Sequence, residues 1–132
     1  MSEQKLETRG IRVTFPASWL AEDDGEDVSL HRSPQGGAIT ISTYRHSDPQ
    51  GNADAVEKCR RFVANLGSDV ACVRGAVSEA TAELTDSSGE RWIIRTVARR
   101  NRFALVTYNS RLLNPAEESE ARRILGSIEL VG

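Results

Sequence analysis

Residue types that commonly carry chemistry are few in this sequence, and their spacing does not assemble a catalytic site. The histidines and cysteines are His31, His46, Cys59 and Cys72. Neither histidine has a cysteine, a carboxylate or a second histidine at metal-ligand spacing. The phosphate-binding loop, the Gly-x-Ser-x-Gly nucleophile turn, the His-Glu-x-x-His zinc motif and the Cys-x-x-Cys redox motif are all missing. The sequence therefore predicts no metal, no cofactor and no enzymatic activity.

Two groups of carboxylates could carry chemistry, one as an acid–base pair and the other as a calcium loop. Glu79 and Glu83 alternate with apolar residues on a predicted strand, where nearby arginines would keep both ionised. The acidic run at 22–27 lacks the alternating oxygen ligands and the closing glutamate of a calcium loop. We expect the first pair to form ion pairs and the second group to be a solvated turn.

The composition is that of one domain of ordinary size. The chain has 132 residues, of which 39% are hydrophobic, and a net charge of −2. This charge gives no bulk attraction to nucleic acid or to acidic membranes. No segment approaches the roughly 20 apolar residues of a membrane span, and MSEQKLETRG has no apolar signal core. We predict a single cytoplasmic domain over residues 1–132, with residues 1–5 loose and no membrane insertion or nucleic-acid partner.

The stretch from Glu90 to Ser110 organises the rest of the predicted fold. It alternates with period two on both sides of a short polar break at 100–102, which is typical of a β-hairpin. A tight turn pairs Ala98 with Phe103 and places one set of large apolar side chains on one face. That face carries Trp92, Ile94, Phe103 and Leu105, and we expect it to pack against the first helix.

The opposite face, called here the arginine-bearing face, is the candidate protein-binding surface. Its residues are Arg91, Ile93, Arg95, Val97, Arg99, Val106 and Tyr108. Apolar centres ringed by charged side chains are typical of interfaces, and arginine and tyrosine are enriched at binding hot spots. The alternative is that residues 111–131 or the acidic run at 22–27 cover this face within the same chain.

Charge also fixes the register of the strand that precedes the hairpin. Only pairings whose residue numbers sum to an even value place Ala80, Ala82 and Leu84 on the Trp92 face. A slip of one residue would bury Glu79 and Glu83 without partners. The allowed registers bring both glutamates within diagonal reach of Arg91 and Arg95.

The remaining predicted elements complete a single α+β domain. A helix over 53–66, capped by Asn52, has its apolar residues on one stripe, and Asn114-Pro115 begins a second helix. The other predicted strands cover residues 6–15, 28–31, 38–44, 76–85 and 127–131.

Two motifs at the ends of the chain resemble those of the PsbP/Mog superfamily. GIRVTFPASW, from Gly10 to Trp19, is similar to its opening strand, proline and tryptophan. ARRILGSIEL, from Ala121 to Leu130, is similar to its closing helix and strand. The resemblance implies an α+β fold with a curved antiparallel β-sheet and flanking helices, and it implies no shared catalytic residues. Members include a photosystem lumenal subunit, a Ran-binding nuclear protein, secreted lipoproteins and chaperones for type VI secretion effectors.

The function that these observations favour is non-catalytic protein binding. Since a signal sequence is missing, the cytoplasmic bacterial branch is the nearest analogy, with an adaptor or chaperone for a secreted effector as the expected role. The expected partner is a protein, with a second copy of this chain as one version of it. The alternative is a structural or small-ligand-binding domain with no fixed protein client.

Overall fold

Ten strands and two helices make up the fold in a computed structural model, which describes residues 3–48 and 50–132. The strands are β1 Glu3–Thr8, β2 Ile11–Pro16, β3 Leu20–Asp23, β4 Val28–His31, β5 Ala38–Arg45, β6 Arg74–Gly75, β7 Glu79–Thr85, β8 Arg91–Arg99, β9 Arg102–Ser110 and β10 Glu129–Leu130. The helices are α1 Ala55–Asn65 and α2 Pro115–Ser127, and Val70–Cys72 forms a 3-10 turn.

The strands form two antiparallel sheets. The larger has the order β3-β4-β5-β9-β8-β7-β6, and the smaller has the order β1-β2-β10. The α+β class and the antiparallel pairing are therefore confirmed. Helix α1 packs on one face of the large sheet, over β7, β8 and β9, while α2 and the small sheet lie on the opposite side.

The central hairpin has the register that its alternation predicts. Ala98 lies opposite Phe103, and Thr96 lies opposite Leu105. Strand β7 pairs with β8 in the register that charge requires. Glu79 lies opposite Val97, so paired residue numbers sum to 176, an even value as predicted. These pairings follow from local alternation together with the cost of burying unpaired carboxylates.

The N-terminal segment departs from its prediction. The strand predicted over residues 6–15 is a hairpin of β1 and β2, because the chain reverses at Arg9 and Gly10. Both residues have positive φ, 54° and 77°, as a tight two-residue hairpin turn requires. Glu3–Lys5 belong to β1 and are not loose, whereas the rest of that prediction, residues 1 and 2, lies outside the described residues.

Helix boundaries shift by a few residues from those predicted. Asp54 caps α1 by accepting a hydrogen bond from the Glu57 amide, a role predicted for Asn52. Asn114 caps α2 as predicted, accepting from the Glu117 amide at 3.1 Å, and Pro115 follows at the first helical position.

Two apolar clusters hold these layers together. The larger lies between the large sheet and the layer of α2 and the small sheet, and the smaller lies beneath α1. Fully buried members of the larger cluster include Ile11, Val13, Trp19, Ile39 and Val106. Ile94 is buried beneath α1, as predicted, but Trp92, Phe103 and Leu105 on the same face are only partly buried. The better-covered core thus lies on the arginine-bearing face.

Candidate functional site

The arginine-bearing face is an internal layer of the protein. Ile93, Val97, Val106 and Tyr108 are all buried, and the most exposed of them, Val97, is 8% accessible. Helix α2 and the small sheet pack over them, so the alternative in which residues 111–131 cover this face is confirmed. The prediction that these residues offer a surface to a partner protein is wrong, because the chain itself occupies that surface.

The arginines of this face are paired as the strand register predicts. Arg91 contacts Glu83 at 2.7 Å and Glu118 at 3.2 Å, and Arg95 contacts Glu79 at 3.0 Å. Arg95 also donates to the carbonyls of Leu125 and Ile128 at the end of α2. Arg99, the last arginine of β8, is exposed. Arg91 and Arg95 thus fasten α2 to the sheet.

A buried polar contact fixes the other end of α2. The Tyr108 hydroxyl donates to Glu117 Oε1 at 2.6 Å, and the same oxygen accepts the Gly37 amide at 2.7 Å. Burial and the neighbouring carboxylate raise the pKa of Tyr108 well above its usual value. A Cβ on Gly37 would lie 2.6 Å from the Tyr108 ring, so glycine is required for this close approach.

The accessible part of the large sheet lies on the opposite face, beside α1. A helix is about 10 Å wide and strands are about 4.8 Å apart, so one helix covers only two or three of seven strands. Helix α1 packs over β7 to β9. Strands β3 to β5 therefore keep a partly exposed surface, called here the open strip, whose inner members are Ser29, His31, Ala38, Thr40 and Ser42.

Where the open strip approaches α1, aromatic side chains form a groove. The Tyr44 and Phe103 rings stack with centroids 4.9 Å apart, and Tyr44 is 47% exposed. The Lys58 ammonium lies 5.1 Å from the Phe103 ring centroid, a cation–π arrangement. This aromatic groove has a volume of about 190 Å³, and its lining is Tyr44, Lys58, Arg61, Phe62, Asn65, Phe103 and Leu105.

The groove combines the features that favour burial by a partner. Its floor is apolar, through Phe62 and Leu105, and its rim carries the Lys58 ammonium and the Arg61 guanidinium, which is ion-paired with Glu57. Aromatic side chains stabilise interfaces because they bury large areas with few rotatable bonds.

The histidines, cysteines and acidic residues that could carry chemistry do not form a common site in the described ranges, 3–48 and 50–132. Within them, no group of three or more His, Cys, Asp or Glu side chains has metal-binding geometry. Burial raises the pKa of the Cys59 thiol to about 11, which keeps it protonated at neutral pH. In the acidic turn, Asp23 and Asp24 accept hydrogen bonds from backbone amides of residues 25–27.

Sequence reasoning missed the open strip, although a signal for it is present. Ser29, His31, Thr40 and Ser42 alternate with buried Leu30, Ile39 and Ile41, which indicates one buried and one accessible face. The width of α1 relative to the sheet decides that this face stays uncovered over β3 to β5. The sequence pattern identified Tyr44 only as the last residue of the strand predicted over 38–44.

Comparisons with known proteins define the fold alone. No protein family model and no curated protein matches the chain. A crystal structure from Bacteroides thetaiotaomicron superposes on the whole chain with a TM-score of 0.64 and 14% sequence identity. The chain spans 50% of the length of that protein. Among the described residues, no helix has the length and apolar character needed to cross a membrane.

Proposed function

We propose that this protein is a non-catalytic, cytoplasmic protein-binding domain of the PsbP/Mog-like type, acting as an adaptor or chaperone for a secreted effector. The observation that carries the proposal is the open strip with the aromatic groove at its edge. The strip is part of a sheet whose opposite face is closed by α2 and the small sheet. A partner segment would cover the part of this sheet face that α1 leaves exposed.

The arrangement of the two end motifs supports the PsbP/Mog-like part of the proposal. The opening motif forms β2 and buries Trp19, and the closing motif forms the end of α2 and β10. Strand β10 pairs with β2, with Glu129 opposite Arg12. The two resembling segments are thus neighbours in one small sheet, as parts of one packing unit would be.

The chemistry of the surface specifies the segment that it would bind. Small hydroxyl side chains at positions 29, 40 and 42 form a low surface that a helix or extended chain can approach closely. The apolar floor of the aromatic groove accepts one large apolar side chain, and the Lys58 ammonium at its rim favours a carboxylate beside it. The partner segment therefore carries an apolar anchor next to acidic residues.

Quantitative affinity capture from native lysate tests the proposal with paired variants. Tyr44→Ala removes the exposed aromatic ring, and Val77→Ala truncates another exposed apolar side chain on the β6–β7 connection as its control. Thr40→Arg fills the open strip, and Thr81→Arg is its control on the exposed side of β7. We expect one specific partner to be lost with Tyr44→Ala and Thr40→Arg and kept with both controls. Equal capture by all four variants would place the partner surface elsewhere.

A further inference from the structure

Three arginines lie side by side on neighbouring strands at one end of the large sheet. Arg102 begins β9, and its neighbours in register are Arg99 on β8 and Arg45 on β5. Directly opposed residues share a sheet face and have Cβ atoms about 5 Å apart, and like charges at such positions are destabilising. The group Arg45, Arg99 and Arg102 is called here the arginine triad.

Carboxylates of the chain do not neutralise the triad. Across residues 3–48 and 50–132, neither Arg45 nor Arg99 has a carboxylate within ion-pair distance. Arg102 donates to three main-chain oxygens, those of Gly10 at 2.7 Å, Val131 at 3.0 Å and Gly132 at 3.2 Å. Even with a full negative charge counted at Gly132, the triad keeps two net positive charges.

The main-chain contacts make Arg102 a fixed centre within the triad. Its two terminal nitrogens are held by the β1–β2 turn and by the segment after β10, so the guanidinium plane has one orientation. Gly10 has a φ of 77°, which favours glycine, and a Cβ there would push the Arg102 guanidinium out of this position. Arg102 therefore supplies a positive charge in a fixed position between Arg45 and Arg99.

A cavity of about 470 Å³ opens beside the triad. Its walls include the side chains of Arg45, Arg102 and Thr43, which offer only hydrogen-bond donors and one hydroxyl. Arg9 lines the far side, where it is ion-paired with Asp23 and close to the other aspartates of the acidic turn. The cavity is therefore polarised, with its cationic wall formed by Arg45 and Arg102, while Arg99 lies next to Arg102 on the neighbouring strand.

We propose that the arginine triad binds a ligand with closely spaced anionic oxygens, such as a phosphate ester or adjacent carboxylates. Guanidinium groups bind such oxygens through two parallel N–H donors, and the anion relieves the repulsion among the three cations. Tyr44 lines both this cavity and the aromatic groove, but the three arginines lie on the opposite face of the sheet from the open strip, so their substitution leaves the proposed partner surface unchanged. The ligand's oxygens contact Arg45 and Arg99, with Arg102 holding the wall.

Isothermal titration calorimetry with pyrophosphate tests this site, with sodium chloride of equal ionic strength as the reference. The variants are Arg45→Gln and Arg99→Gln, and the matched control is Arg60→Gln, an exposed arginine of α1. We expect either triad variant to weaken binding about tenfold or more, and the control to bind like the unaltered protein. A glutamate hexapeptide in a parallel titration separates the two ligand sources.

Each outcome of these titrations either supports the site or overturns it. Binding of pyrophosphate alone identifies a phosphate-bearing ligand, and binding of the peptide alone identifies an acidic protein segment. Either result supports the site when it is lost in both triad variants. The proposal is overturned if neither probe binds above the chloride reference, or if Arg60→Gln weakens binding as much as Arg45→Gln and Arg99→Gln do.

Discussion

Removing the Tyr108 hydroxyl tests whether α2 is fastened over the arginine-bearing face. In Tyr108→Phe, Glu117 loses a donor at 2.6 Å and keeps the Gly37 amide at 2.7 Å. Both side chains are buried, with Glu117 only 2% exposed, so water cannot readily replace the lost donor. A hydrogen bond to a charged group contributes about 1.5–3 kcal/mol, and we expect a loss of stability in that range.

Urea denaturation monitored by tryptophan fluorescence measures this loss. With a slope of about 1–3 kcal/mol per molar urea, a loss of about 2 kcal/mol lowers the midpoint by roughly 1 M. A double-mutant cycle with Glu117→Ala isolates the contact, and we expect a coupling energy of about 1 kcal/mol or more. A loss below about 0.5 kcal/mol, within the range of ordinary surface substitutions, would show that Tyr108 is not held beneath α2.

The same contact predicts a dependence on alkaline pH. The folded protein raises the pKa of Tyr108 above the value near 10 that the unfolded chain has. Its contribution to stability is therefore complete below pH 10 and falls as pH rises further, because only the unfolded state ionises readily. The difference between the unaltered protein and Tyr108→Phe should shrink above pH 10. A constant difference up to pH 11 would contradict the raised pKa.

Two further predictions concern the α1 face and the β7–β8 turn. In urea denaturation, Ile94→Ala should lower the free energy of unfolding by about 2–5 kcal/mol, and Leu105→Ala should lower it distinctly less, because Ile94 is fully buried and Leu105 only partly. Equal losses would show that α1 covers both side chains. Asp86 accepts from Ser88 and Trp92, which lowers its pKa to about 2. Its stabilisation is present above pH 4 and lost as pH falls through about 2, so Asp86→Asn should be less stable at pH 7 and converge with the unaltered protein near pH 2.

Much of the sheet could be predicted because its signals are local. Alternation gave the hairpin register of β8 and β9, and the cost of burying Glu79 and Glu83 gave the register of β7. The ion pairs of Arg91 and Arg95 with these glutamates follow from that register alone. The turn at Arg9 and Gly10 was missed because a non-glycine residue adopts positive φ there.

The location of the candidate site could not be predicted because it depends on contacts distant in sequence. Both faces of the central hairpin alternate with apolar residues, so their pattern does not show which helix covers which face. Ile93 and Tyr108 are buried by a cluster that includes Ile11, Val13 and Ile124, from opposite ends of the chain. The open strip is what remains after these contacts form, and it contains none of the predicted binding residues.

Site-specific photo-crosslinking in native lysate tests most directly whether the open strip is the partner surface. A photoreactive phenylalanine analogue would be placed at position 40 on the open strip, or at position 81 on the exposed side of β7. We predict one dominant crosslinked partner from position 40, reduced by Tyr44→Ala in the same chain, and none from position 81. Crosslinking of that partner from position 81 and not from position 40 would contradict the proposed surface.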